Sequence, residues 1–173
     1  MKYNNPCIAV VGSFNIDLMS RAPKMPAAGE TVLGGPFKLS PGGKGSNQAI
    51  AAVRLGAKVR VIMRLGTDIF GDQALEYLKK EGIDTNYVVR DSKNHTGTAL
   101  IVVDKKGENM IVVAPGANGA LSPEDVSNGK EAIYNSDVLL VQLEIPIETV
   151  QAAVKIARDN GVKTILNPAP GRE

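Results

Sequence analysis

From Pro41 to Ala49 the chain reads Pro-Gly-Gly-Lys-Gly-Ser-Asn-Gln-Ala, and helix-forming residues follow as far as Gly56. Gly42, Gly43 and Gly45 let the main chain come close to a bound molecule, since no Cβ stands in the way. A helix starting here has first N–H groups without partners inside the helix. Lys44 and Asn47 add side-chain donors at the same spot, a combination that grips hydroxyl or phosphate oxygens. The alternative for this stretch alone is a tight loop-to-helix turn with no ligand. Two better-known glycine loops do not fit. A Walker A loop needs Ser or Thr after Gly-Lys, and Gly45 stands there; the dinucleotide loop needs a third glycine where Gln48 stands.

Elements that would position these groups alternate along the chain. Apolar runs at 8–11, 59–65, 138–143 and 162–166 lack in–out alternation and read as strands buried on both faces. Helical patterns at 46–55, 72–81 and 148–160 stop at Gly56, Gly82 and Gly161. Ser122-Pro123-Glu124-Asp125 has the form of a helix start, with an N-cap, proline in the first turn and acids beside it. Such alternation predicts an α/β fold, a parallel sheet with helices on both faces. Ligands of such sheets bind beyond the carboxyl ends of the strands. Asn15 and Asp17 follow the first strand, Gln142 and Glu144 close the third, and Asn167 closes the fourth. An edge that gathers Asn15, Asp17, Lys44, Asn47 and Glu144 suits an uncharged ligand with several hydroxyls. Carboxylates accept hydroxyl hydrogens, and amides and main-chain N–H groups donate. Taken singly, each is also an ordinary cap or turn residue, and for Glu144 the alternative is a helix-start acid ahead of Pro146.

Two segments break the alternation. Residues 18–40 are rich in Pro and Gly with strand-like pieces at 31–33 and 37–39, and residues 98–104 and 110–113 read as a hairpin about the Lys105-Lys106-Gly107-Glu108 turn. Together they predict a small β-sheet, a lid at 18–40 and 96–116 on a body formed by 1–17, 41–95 and 117–173. The alternative is a pair of long surface excursions. The apolar strand near Leu100 favours the sheet, because it needs a ligand or a partner subunit to cover it. After the last strand come only Asn167-Pro168-Ala169-Pro170-Gly171-Arg172-Glu173, so the expectation is a fold truncated at its C-terminus, with an open sheet edge.

Composition narrows the function classes. Of 173 residues 43% are hydrophobic, which provides for a sizeable core built on Val, Ile, Leu and Ala, since Trp is absent. A net charge of +2 with no basic run longer than two residues gives nucleic-acid binding no support. No segment approaches the length of a membrane span. A lone cysteine, Cys7, cannot form an internal disulfide and points to a reducing cytoplasm. The only histidine, His95, lies in a polar loop, which leaves no material for a multi-histidine metal site.

Several motifs carry a family resemblance. Val11-Gly12-Ser13-Phe14-Asn15-Ile16-Asp17 resembles the opening motif of the ribokinase, or PfkB-type, sugar kinases. Gly42, Gly43, Gly45, Asn47, Ala49, Gly56 and Gly66 match that family's amino-terminal signature in register. Thr96-Gly97-Thr98-Ala99-Leu100, Pro115-Gly116-Ala117-Asn118, Gln142-Leu143-Glu144 and Asn167-Pro168-Ala169-Pro170 resemble its ribokinase branch. The resemblance implies a Rossmann-like body with a β-sheet lid that also pairs to form a homodimer. It implies transfer of the γ-phosphoryl group of ATP to the O5 hydroxyl of ribose, with Mg2+ on the nucleotide. The sugar-binding set it implies is Asn15, Ile16, Asp17, Gly43, Lys44, Gly45, Ser46, Asn47 and Glu144. The family's Gly-Ala-Gly-Asp loop with its catalytic aspartate, its Asn-x-x-Glu element, its adenine pocket and its monovalent-cation loop have no counterpart in these residues. The expectation is therefore a sugar-binding half with no catalytic residue or metal ligand of its own, inert by itself. The alternatives are a family member acting on deoxyribose, fructose, a nucleoside or a sugar phosphate, for which Arg21 and Lys24 are the only extra cations, or a non-catalytic sugar-binding or dimerising module.

Overall fold

The computed structural model describes residues 5–171; the outermost parts of the expected body, 1–4 and 172–173, lie outside the described residues. Strand β1 (Cys7–Val11) is apolar throughout and lies at the centre of a five-stranded parallel sheet. β4 (Lys58–Gly66) and β5 (Asp84–Asp91) extend that sheet on one side, β8 (Val138–Gln142) and β9 (Lys163–Asn167) on the other, in the order β5-β4-β1-β8-β9. Between them, helices α1 (Lys44–Arg54), α2 (Ile69–Lys80) and α5 (Ile147–Asp159), with the short α3 (Pro123–Asn128) and α4 (Lys130–Tyr134), cover the two faces.

Alternation along β1 shows why this sheet needs cover on both sides. Ala9 and Val11 pack with Val126, Ile133, Val150 and Ala153 of α3, α4 and α5, while Val10 packs with Ala49, Ile50, Ala74 and Leu78 of α1 and α2. Full burial of side chains such as Ile62, Leu65 and Leu78 contributes about 1.5–3 kcal/mol each. The helix boundaries follow the punctuation in the sequence. Asp68 caps α2 by accepting from the Gly71 N–H, and Ser122 and Asp125 form a reciprocal capping box at α3.

A second sheet, in the order β3-β2-β6-β7, combines β2 (Asn15–Arg21), β3 (Phe37–Gly42), β6 (Gly97–Val103) and β7 (Asn109–Ala114). β2 runs parallel to β6, and the outer strands are antiparallel to their neighbours. The fold class expected from the sequence is thus the one observed: a helix-covered parallel sheet plus a small mixed sheet. Three details differ from expectation. Asn15 and Asp17 belong to a strand rather than to a loop. Residues 31–33 form no strand; the Pro/Gly-rich stretch 22–36 meets the second sheet only near its ends, where Ala22 N–H donates to the Val103 carbonyl and Gly35 N–H to that of Arg21. The run at 162–166, expected to be buried on both faces, becomes the edge strand β9, with Ile165 49% and Leu166 48% exposed.

Candidate functional site

From β1 the chain moves outward to β4 and β5, then returns to the other side of β1 for β8 and β9. The crevice beyond the carboxyl ends of β1 and β8 is therefore the point where the winding reverses, the place where open α/β sheets bind ligands. Ser13 leaves β1 there and Glu144 leaves β8. Ser13 Oγ donates to Glu144 Oε2 at 2.5 Å, and the main-chain N–H of Lys44 donates to the same oxygen at 2.7 Å. The Gly45 N–H donates to Ser13 Oγ at 3.3 Å. Helix α1 has no side-chain cap of its own; Gly43 holds the cap position with φ near 90°. Glu144 supplies from across the sheet the negative charge that the helix start favours. Thus Glu144 does serve a helix start, but that of α1; α5 begins with Glu148 in its first turn. Lys44 Nζ lies 3.9 Å from Glu144 Oε1.

The second sheet forms the facing wall. Alternation along β2 puts Asn15 and Asp17 on one side and Ile16 on the other. Register extends the Asp17 side through Ala99 to Val113. A cleft of about 210 Å³ lies between the walls, lined by Asn15, Val113, Pro115, Asn118, Leu143, Glu144 and Pro170. Asp17 does not line it, but feels its charge. Burial, and after it the negative charge of Glu144, push the Asp17 carboxyl above the usual carboxylate range. Its two oxygens lie over the bare Cα of Gly42, where an added Cβ would stand 2.2 and 2.4 Å from them. Neither oxygen takes a hydrogen bond from the described residues. A half-buried carboxylate beside a second one, with no protein donor, is costly for a merely structural residue and suited to a ligand that brings its own donors.

The site residues read from the sequence separate into two groups. Asn15, Asp17, Gly43, Lys44, Gly45 and Glu144 come together around the α1 start and the cleft. Ile16, by contrast, is buried in the core beside α1 and α2, because its strand position faces away from the cleft; only its main chain lies on the site side. Ser46 is buried as well, and its hydroxyl donates to the Gly42 and Gly43 carbonyls, so its side chain shapes the loop. Asn47 is exposed one turn into α1, and its side chain has no partner among the described residues. Sequence reasoning missed Ser13 and Asn118 as site residues. Both lay inside motifs already singled out, but nothing local marks them, since their partners are more than a hundred residues away.

Two carboxylates, an amide and the Lys44 ammonium about a small cleft can hold a compact ligand bearing several hydroxyls. Among the described residues no group of three or more His, Cys, Asp and Glu is placed to hold a metal ion. No helix among them is long and apolar enough to cross a membrane.

A family model described as pfkB family carbohydrate kinase matches residues 5–172. A ribokinase of Bacillus subtilis is 45% identical over 165 residues, covering 95% of this chain and 56% of the relative. A deoxyribokinase of Salmonella typhi is 40% identical over 163 residues, covering 94% and 53%. The solved structure of Arabidopsis thaliana ribokinase complexed with ribose and ATP matches with a TM-score of 0.83 at 30% identity, over 94% of this chain and 53% of that one. The chain spans about half the length of the curated relatives it matches.

Proposed function

The chain belongs to the pfkB family of carbohydrate kinases, and on that premise we propose that it supplies the sugar-binding half of an ATP-dependent ribose kinase acting at the O5 hydroxyl. The observation that carries this reading is Asp17. It is half-buried, its pKa is raised by burial and by Glu144, and its oxygens have no protein donor among the described residues. Ribose hydroxyls supply the missing hydrogens. Charge-assisted hydrogen bonds of this kind contribute about 1.5–3 kcal/mol each, so Asp17 and Glu144 together supply most of the affinity needed for a small sugar. The side chains of Asn15, Lys44 and Asn47 donate in return, and Gly43 and Gly45 let the start of α1 pack against the main chain of Gly12–Asn15. Ile16 and Ser46 contribute main-chain contacts and loop shape.

ATP supplies the phosphoryl group as co-substrate, accompanied by Mg2+ and, following the family, a monovalent cation. No residue of this chain is assigned to hold nucleotide or metal. The chain's own part is to bind the sugar, fix its orientation and keep the acceptor hydroxyl in place, the positioning of the acceptor on which phosphoryl transfer depends beside charge neutralisation. The second sheet acts as the lid over residues 18–40 and 96–116. Its apolar side chains include Phe37, Leu100, Met110 and Val112, all more than half exposed, and a matching lid covers them in a homodimer. A cytoplasmic location accords with ATP use and with Cys7 as the lone thiol.

A second reading follows from the 40% identity to a deoxyribokinase: 2-deoxyribose as the preferred sugar. An ADP-release assay of the full-length protein, with ribose, 2-deoxyribose, fructose and adenosine as acceptors, separates them. A kcat/KM for ribose at least tenfold above the rest supports the proposal. Preference for another acceptor replaces it, and sugar binding without turnover leaves a non-catalytic sugar-binding module.

A further inference from the structure

Asn118 sits in the 3-10 turn Gly116–Ala120, is 2% exposed, and uses both ends of its amide. Its Oδ1 accepts from the Phe14 N–H at 3.0 Å, while its Nδ2 donates to the Phe14 carbonyl at 2.9 Å and to Asn15 Oδ1 at 2.8 Å. The main chain of Phe14 leaves this amide only one orientation, because an N–H can only meet an oxygen and a carbonyl can only meet an N–H. That orientation passes on to Asn15. Its oxygen must face the Asn118 donor, so its Nδ2 points away, and the described residues offer that nitrogen no partner. Asn15 lines the cleft. Gly97 gives the pair its room, since a Cβ there would stand 2.1 Å from Asn118 Nδ2 and 2.3 Å from Asn15 Oδ1.

The geometry points to Asn118 as a positioning residue that fixes the polarity of Asn15, so that the cleft presents an amide donor beside the carboxylate acceptor Glu144, with Asp17 two residues along the same side of β2. This inference rests on the sugar-binding reading of Asn15 given above. A ribose hydroxyl is both donor and acceptor, and adjacent hydroxyls bind best where donors and acceptors alternate. With the amide reversed, Asn15 would turn an oxygen toward the cleft beside Glu144, and the sugar would lose the donor on the β2 wall, leaving only those of Lys44 and Asn47 on the α1 side. Asn118 also ties the root of β2 to the turn that follows β7, so the same amide that orients Asn15 joins both roots of the second sheet.

The test uses the full-length kinase as wild type, Asn118→Asp, Asn15→Ala and the double variant. An aspartate keeps the shape and still accepts from the Phe14 N–H, but offers Asn15 an acceptor, and Asn15 turns its Nδ2 inward. Asn118→Asp is expected to raise the ribose KM at least tenfold with the ATP KM within twofold of wild type. In the Asn15→Ala background the same change is expected to add less than twofold, because the residue through which it acts is gone. Equal effects on both substrates, or a full effect in the Asn15→Ala background, would overturn the inference. Side-chain amide hydrogen exchange on the sugar-free wild type decides the matter without any variant or turnover. Asn118 NH2 protons should be protected and those of Asn15, which is 5% exposed but offers its Nδ2 no partner, should exchange clearly faster; Asn15 protons as protected as those of Asn118 overturn the inference. A wild type that phosphorylates other sugars but not ribose defeats the ribose reading alone, and the exchange result stands separately.

Discussion

Replacing Asp17 by asparagine keeps the side chain's shape over Gly42 but removes its charge. A hydrogen bond to a charged group contributes about 1.5–3 kcal/mol and one between neutral groups about 0.5–1.5, so each bond to the sugar weakens by about 1–1.5 kcal/mol. With both oxygens free of protein donors, two such bonds are at stake. The loss is then about 2–3 kcal/mol, or roughly 30- to 150-fold in kcat/KM for ribose, with the ATP KM close to wild type. Stability should move the other way. The folded protein raises the Asp17 pKa through burial and the charge of Glu144, so it binds this proton more tightly than the unfolded chain does. The carboxylate therefore costs stability as pH rises from the unfolded value through that raised one, and the cost is fully present above it. Asp17→Asn removes it. The Tm of the variant should equal or exceed that of wild type at pH 7, and the difference should shrink as the pH is lowered below the folded pKa. Steady-state kinetics and pH-resolved thermal melts check both halves. A ribose kcat/KM within threefold of wild type, or a lower Tm at pH 7, would refute the reasoning.

Ser13→Ala removes the hydroxyl that donates to Glu144 Oε2 and accepts from the Gly45 N–H; the expected result is a ribose KM raised about tenfold, from one lost charge-assisted bond, read in the same kinetics. Arg64→Met leaves Asp91, 2% exposed, without its guanidinium partner. Burial works against ionised Asp91, but Asn94, Arg64 and main-chain N–H groups hold its carboxyl far below the usual range. The unfolding free energy should fall by about 3 kcal/mol in urea titration at pH 7. Because that carboxyl is depressed, its contribution is present above the ordinary carboxylate pKa and is lost only as pH falls through the much lower folded value. The 173 residues purified alone should release no ribose-dependent ADP above background in a coupled assay beside a full-length control. No carboxylate here matches the family's base, and loss of a general base alone costs about 100- to 10,000-fold.

Much of the fold was legible because apolar content and punctuation act locally. β1, β4 and β8 are continuous apolar runs, and α1, α2 and α5 end where Gly56, Gly82 and Gly161 offer positive φ. β5 escaped notice because Asp84, Thr85, Asn86, Arg90 and Asp91 are normal residues for an edge strand but mask any apolar period. β2 was legible by residue type and not by element. Asn15 and Asp17 read as loop residues, since pairing with Gly42 and Ser40 of β3 and with Gly97 and Ala99 of β6, some eighty residues later, makes them a strand. In the site, the groups with charge or glycine at the α1 start were readable. Ser13 and Asn118 were not, because a small neutral side chain shows its role only through the partner that folding delivers.

Both sheets begin with an inner strand whose second neighbour arrives late. Val11 pairs with Ile62 on one side and with Val141 on the other. On a ribosome adding roughly 5–20 residues per second, the second edge of β1 stays open for about 6–26 s after its residues emerge. β2 similarly waits for β6. During synthesis the chain thus exposes an unpaired, wholly apolar strand for many times the microseconds in which local hairpins and helices form. Nascent protein should depend on chaperone holding until β8 appears, and codon changes that slow translation between α1 and β8 should lower soluble yield without altering a single residue.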